Sequence, residues 1–418
     1  MVNILEKPHK EKFNPVANRM INPNSLPIGG VQISSLDLDL TVDCNLDCDY
    51  CFKEKYKKHM PLETTRQAVV WLIMASGDAK KLTVALIGGE PMLRFKLIKE
   101  LVPFAKRRVQ QHGKNIHFTM TTNGTVINNE ILMFWKKWGM GFHTSIDGCP
   151  EAHDYHRHFP DGKGSSDLLA RNLPRILSIR PKTTARATVL ADTVKYLSES
   201  FEYLLKLGYR SFAFVPSVYS LWDQPSVNEL EGQFRAIMIR TIQLYRQGQY
   251  ISVKYFDEGC QRLAKGGASM ADGPSCGAGR GMVLVDVNGD IWPCHRWNKQ
   301  SQSDWKLGSV WENGFNYRVR NMFFTAIYKK QTSPCRSCSA NFLCRGGCPA
   351  QNLEDTGCIW KQHPLGCEIT KRIAIVVREF HDTLLTEKNT VFMQHYYPEP
   401  DEKEIGKTYK SVKMETAL

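Results

Sequence analysis

From Leu36 onward the chain repeats one pattern: a short strand-like run, a polar turn, then a helix-like stretch. Leu36, Leu38, Leu40 and Val42 alternate with Asp37, Asp39, Thr41 and Asp43, the period of a half-buried strand. Strand-like runs follow at 82–87, 116–120, 141–146, 184–190 and 211–215, with helix-like stretches at 62–76, 95–111, 129–138, 168–179 and 197–207. Six consecutive βα units demand a parallel sheet with helical crossovers. Right-handed crossovers leave two architectures, a doubly wound sheet and a partial (β/α)6 barrel of the TIM type. Both gather ligands at the carboxyl ends of the strands. The polar motifs fall there: Cys44-x3-Cys48-x2-Cys51, Gly88-Gly89-Glu90-Pro91, Thr122-Asn123-Gly124 and Ser145-Ile146-Asp147-Gly148. One Gly-Gly or Asn-Gly is an ordinary turn. Four polar motifs on one rim are a site.

The 13 cysteines of this 418-residue chain are concentrated in two places. Three form the first cluster, and eight lie between 276 and 367: Cys276, Cys294, Cys335, Cys338, Cys344, Cys348, Cys358 and Cys367. Cys149 and Cys260 stand alone; Cys149 reads as a buried structural residue, and Cys260 as either that or a functional thiol. The first residues hold no apolar stretch of the signal-peptide kind, so the expected compartment is the reducing cytoplasm, where clustered cysteines bind metal rather than form disulfides. Zinc takes four tetrahedral ligands. The first cluster offers three thiols and no histidine, which would leave one iron of a four-iron cluster open. Spacing alone does not separate the two metals.

The longest apolar run, Ala68 to Ala75, has eight residues, far short of the ~20 a membrane helix needs. The organisation reads as an N-terminal arm (1–35), the βα region (36–225), a linking helical region (226–273), a Cys-rich domain (274–383) and a polar tail (384–418). Within the Cys-rich domain, Met282 to Trp292 reads as a hairpin with a type I′ turn at Asn288-Gly289. It would bring Cys276 and Cys294 together.

The run Cys44-Asn-Leu-Asp-Cys48-Asp-Tyr50-Cys51 resembles the motif of the radical S-adenosylmethionine (SAM) enzymes, and the three rim motifs resemble that superfamily's later barrel motifs. Cys276-x12-Gly289-x4-Cys294 and Cys335-x2-Cys338-x5-Cys344-x3-Cys348 resemble the SPASM domain, an auxiliary iron–sulfur domain. The resemblance spans residues 36 to 375. It implies a partial barrel followed by a small auxiliary-cluster domain, with SAM and three [4Fe-4S] clusters as cofactors. Cys44, Cys48 and Cys51 would hold the cluster that binds SAM. Gly88, Gly89 and Glu90 would meet the methionine amino group, Tyr50 the adenine, and Asn123, Ser145 and Asp147 would lie at the SAM site. Arg157 would pair with the SAM carboxylate. Cys335, Cys338, Cys344 and Cys367 would hold a distal cluster. Cys276, Cys294 and Cys348 would hold a proximal one, with Cys260, Cys358, substrate or nothing as its fourth ligand.

The implied chemistry is reductive cleavage of SAM to a 5′-deoxyadenosyl radical that takes a hydrogen from a C–H bond. The implied partners are a peptide or protein substrate and a reductant such as flavodoxin or ferredoxin, with no membrane and no nucleic acid. The net charge of +13, roughly +8 once three clusters are counted, suits a peptide with an acidic leader. Only about 35 residues precede the first strand, so a leader would be bound by a separate protein, by another surface, or not at all. Sulfatase maturases carry an Asp after the cysteine that ends G-x4-C; here that position is His295, the candidate base. The favoured reading is therefore a maturase of ribosomally made peptides that forms a thioether or C–C crosslink. The alternatives are an anaerobic sulfatase-maturating enzyme and a peptide epimerase, the latter with Cys260 or Cys358 as hydrogen donor. A basic zinc-ribbon protein that binds nucleic acid is the reading from another class.

Overall fold

The structure is a computed structural model that describes residues 32–398, apart from 54–55, 218–219, 267–275, 299, 332–333 and 345. Most of the expected arm (1–31) and the end of the expected tail (399–418) lie outside the described residues. Strands β1 (Ser35–Asp39), β2 (Lys81–Ile87), β3 (Asn115–Thr122), β4 (Gly141–Ser145), β5 (Thr184–Val189) and β6 (Ser211–Pro216) pair in parallel and in chain order. A doubly wound sheet reverses its strand order part-way. This one does not, so its winding is that of a barrel, and it is left open.

Helices α1 (Leu62–Ala75), α2 (Phe95–Gln110), α3 (Asn129–Trp138), α4 (Pro150–His153), α5 (Ser166–Ile179) and α6 (Leu197–Lys206) connect these strands. Asn128 begins α3 by accepting a hydrogen bond from the Ile131 amide at 2.9 Å, and Gly139 ends it at φ 63°, the left-handed cap that glycine takes most readily. Leu36, Leu38 and Leu40 are fully buried and share a core with Ala68 and Val69 of α1 and Ile98 and Leu101 of α2. The opposite side chains of β1, Asp37 and Asp39, are buried as well. In a barrel that face is the lumen, not solvent.

The chain continues through α7 (Gln224–Arg246), β7 (Ser252–Val253) and α8 (Lys254–Ala264), and β7 adds a strand beside β6. The Cys-rich segment then returns to the opposite side. Strand β8 (Met282–Val285) pairs in parallel with β1, β9 (Asp290–Trp292) turns back against β8, and β10 (Gly308–Ser309) follows β9. The hairpin is present but its turn is not type I′. That turn needs positive φ at both central residues, and only Gly289 has it, at 91°. Asp286 instead closes a longer loop by accepting from the Asn288 and Asp290 amides.

Helices α9 (Tyr317–Gln331), α10 (Asn341–Cys344), α11 (Pro349–Thr356), α12 (Pro364–Thr386) and α13 (Thr390–Tyr396) complete the chain. The tail boundary at 383/384 falls inside α12, and Phe392 and Tyr396 of α13 are buried. Ile369, Ile373, Val376, Val377, Phe380 and Leu384 recur at helical spacing along α12 and pack with α7 and α8. The Cys-rich segment thus shares one core with the β1 side of the barrel and another with the β6 side.

Candidate active site

A cavity of about 310 Å³ opens at the carboxyl ends of the barrel strands, and Cys44, Cys48 and Cys51 line it. The loop that carries them is held at several points. A Cβ on Gly89 would lie 2.2 Å from the Asp43 carbonyl oxygen, so only glycine lets β2 approach this loop. The Gly89 and Glu90 amides donate to the Thr41 and Asp43 carbonyls at 2.7 and 3.0 Å. Asn123 donates to Asn45 at 2.9 Å and accepts from the Thr125 amide. On the outer side, Asp49 meets His156 at 3.2 Å and His158 at 3.0 Å.

Asp147 is the hub of the next layer. It accepts from Tyr50 Oη at 2.5 Å, Arg157 Nε at 2.8 Å and the Thr188 amide at 2.8 Å. The Arg157 guanidinium also stands 5.2 Å from the Tyr50 ring centroid. Burial pushes the Tyr50 phenol up; for Arg157, burial opposes the charge, but Asp147, Tyr50 and Cys48 together outweigh it and raise the pKa. Glu90 is 1% exposed and accepts from Met92, Thr122 and Asn123. Burial raises its pKa to about 7 despite these three donors.

The Cys-rich segment supplies the far wall. His295 Nδ1 lies 3.3 Å from Asp37 Oδ2, and the His295 ring lies 5.6 Å from that of Phe52. Arg296 covers Phe52 at 5.5 Å. Lys53 pairs with Asp39 at 2.7 Å.

The remaining thiols fall into two groups. Burial raises the Cys294 thiol, and the nearby Cys348 and Cys276 add to the shift. Cys335, Cys338, Cys344 and Cys367 line a separate small cavity. At Cys44, Cys276 and Cys344 one turn recurs: the amide two residues on points at the sulfur, at 3.4, 3.3 and 3.4 Å. Amides aimed at sulfur stabilise thiolates and the clusters they hold. A single tetrahedral zinc needs sulfurs about 3.8 Å apart. Among the described residues no three cysteine sulfurs lie within 4.8 Å of one another. The thiols therefore fit a larger cluster better than one ion.

Residues 38–204 match the family model of the radical SAM superfamily, and residues 276–339 match that of the SPASM iron–sulfur cluster-binding domain. The chain is a radical SAM enzyme with a SPASM domain. A cysteine-type anaerobic sulfatase-maturating enzyme of Clostridium novyi is 23% identical over 338 residues, which span 76% of this chain and 87% of that protein. The solved structure of native anSMEcpe with bound AdoMet and Cp18Cys peptide aligns with a TM-score of 0.69 at 19% identity, covering 86% of this chain and 99% of that one. Streptococcus suis SuiB bound to its precursor peptide SuiA aligns at 0.55 and 15% identity, covering 81% and 76%. At these identities the structural likeness speaks for the fold.

For a radical SAM enzyme the three rim thiols, Gly88, Gly89, Asn123 and Ser145 stand where the motifs place them, around one cavity. Glu90 also lines the cavity, and its carboxylate accepts from three donors that fix it at the rim. Other expectations change. Asp147 lies behind the wall, where it orients Tyr50 and Arg157. Cys260 is fully buried in the apolar core under α12 and does not line the cavity. Cys358, on the loop after α11, lines neither cavity. Asp37, Asp39, Lys53, Arg186 and Arg296 gather at the cleft without having been singled out in the sequence. The alternation of β1 marked the two aspartates as one polar face, but only barrel curvature turns that face into a site.

Proposed function

We propose that this enzyme modifies a peptide by abstracting a hydrogen from it, most simply to form a thioether or C–C crosslink. The observation that carries this reading is the joint cleft: the cluster thiols and SAM-motif residues of the barrel face His295 of the SPASM domain across one cavity. Cys44, Cys48 and Cys51 would hold a four-iron cluster, whose chemistry would be to give SAM the electron that yields methionine and a hydrogen-abstracting 5′-deoxyadenosyl radical. The chain's own residues position the reactants and exclude water. Arg157, held by Asp147, offers a cation at the cavity wall for the SAM carboxylate. Tyr50 is fixed by the same carboxylate at the cavity wall, where its ring would meet the adenine.

A crosslink removes one hydrogen atom, one proton and one electron from the substrate. Asp37 holds His295 at Nδ1, so Nε2 is the atom left to take the proton. Two auxiliary clusters, on Cys276, Cys294 and Cys348 and on Cys335, Cys338, Cys344 and Cys367, would be the electron's destination, with a flavodoxin or ferredoxin beyond. A carboxylate at position 295, as in sulfatase maturases, would face Asp37 directly. That repulsion supports the crosslinking reading over formylglycine formation.

The test uses the anaerobically reconstituted chain with SAM, dithionite and capped random peptide pools rich in cysteine. Deoxyadenosine together with peptides lighter by two hydrogens supports the reading. Conversion of cysteine to formylglycine would identify a sulfatase maturase instead, and solvent deuterium at an α-carbon without mass loss an epimerase.

A further inference from the structure

Arg186 of β5 lines the cavity and sits beside Ser145 of β4 in the strand register. Protein surrounds its side chain, yet its surface is open to the cavity. It has no hydrogen-bond or ion-pair partner among the described residues. The other cations with a partner at this cleft differ: Arg157 is paired with Asp147 and Lys53 with Asp39. Burial depresses the Arg186 pKa, Asp37 opposes that shift, and Arg296 and Arg157 deepen it. A guanidinium that lines a cavity without a hydrogen-bonded counterion is open to an anion, and it is built to take a carboxylate with two parallel bonds.

SAM brings one carboxylate, but Arg157, which lies near Cys48 and Tyr50 of the cluster loop, already serves it in the proposed arrangement. Of the charged neighbours of Arg186, Asp37 and Arg296 belong to the His295 side of the cleft and Arg157 to the SAM side, so Arg186 stands between the two. Resting on the peptide-maturase reading, we propose that Arg186 selects the substrate by binding a carboxylate that the peptide carries next to the attacked C–H bond. The carboxylate is an Asp or Glu side chain or the peptide's own C-terminus. Arg186 thus narrows the substrate class to acidic or C-terminal peptide segments.

The experiment uses the full reconstituted chain with SAM and dithionite and three hexapeptide pools: capped with a fixed Glu, capped with Gln in its place, and Gln-containing with a free C-terminus. Peptide-stimulated deoxyadenosine formation is read. The Glu pool, the free-terminus pool or both should stimulate about tenfold more than the capped Gln pool, and which of them does so names the source. Arg186→Gln should collapse that ratio to about one, Arg186→Lys should keep part of it, and Arg186→Glu should shift preference to a Lys pool. Equal stimulation by all pools in the wild type overturns the proposal. So does a loss of SAM affinity of tenfold or more in Arg186→Gln, because the carboxylate would then be that of SAM. Absence of deoxyadenosine under every condition would instead overturn the radical SAM function itself.

Discussion

Asp37 and His295 lie 258 positions apart in the chain, and their side chains meet at 3.3 Å. The contact joins the first barrel strand to the SPASM domain, and it exists because β8 adds to the sheet directly beside β1. It places an imidazole from one domain over the lumen of the other.

Replacing Asp37 by Asn removes the anion that orients His295. Iron content should be unchanged, while formation of modified peptide falls about 10²-fold, the usual scale for a misplaced proton acceptor. His295→Asp should be worse than His295→Asn, because two carboxylates would share the site, and Asp37→Asn combined with it should recover part of the loss. Mass spectrometry of the product peptide checks both comparisons.

Asp147→Asn leaves Arg157 buried without its counterion and Tyr50 without its acceptor. Breaking a buried pair from one side costs about 3 kcal/mol or more. The expected result is a lower denaturation midpoint together with weaker SAM binding, measured by equilibrium dialysis of labelled SAM. Asp147→Ala combined with Arg157→Met should be more stable than Asp147→Asn alone, since no uncompensated charge remains.

Glu90 makes stability depend on pH. Burial raises its pKa to about 7 from the ordinary 4.5 of a glutamate. The contribution is therefore fully present below pH ~4.5 and is lost as pH rises through ~7. The loss should approach about 3 kcal/mol over that window. Anaerobic urea titrations at several pH values would show it, and the slope attributable to this group should vanish in Glu90→Gln.

Cysteine variants separate the three groups of thiols. Cys44→Ala should abolish deoxyadenosine formation. Cys367→Ala should remove about four irons from a total of about twelve while leaving the first cluster in place. Cys260→Ala should keep all the iron and lose about 1 kcal/mol of stability from a small cavity in the core. Iron and sulfide analysis with a denaturation curve decides each.

The six βα units were legible from residue 36 onward because strand and helix periods are local properties of the chain. Asn128, Gly139 and the apolar stripes of α1 and α2 announce their elements within a few residues. The hairpin at 282–292 was legible too, but the φ of Asn288 was not, since Asp286 captures the loop amides. Helix α12 carries an evident apolar stripe and was hidden by the charged residues around it.

The order and spacing of residues by themselves determined the cysteine sets, the rim motifs and the parallel winding, because each depends on neighbours close in sequence. Tertiary structure alone decided which polar residues meet. Curvature turned Asp37 and Asp39 inward, Asp147 was drawn behind the wall by Tyr50 and Arg157, Cys260 was sealed under α12, and Arg186 was left facing an open cavity. Those outcomes depend on strand register and on how the second domain packs against the first, interactions between residues tens to hundreds of positions apart that no local pattern records.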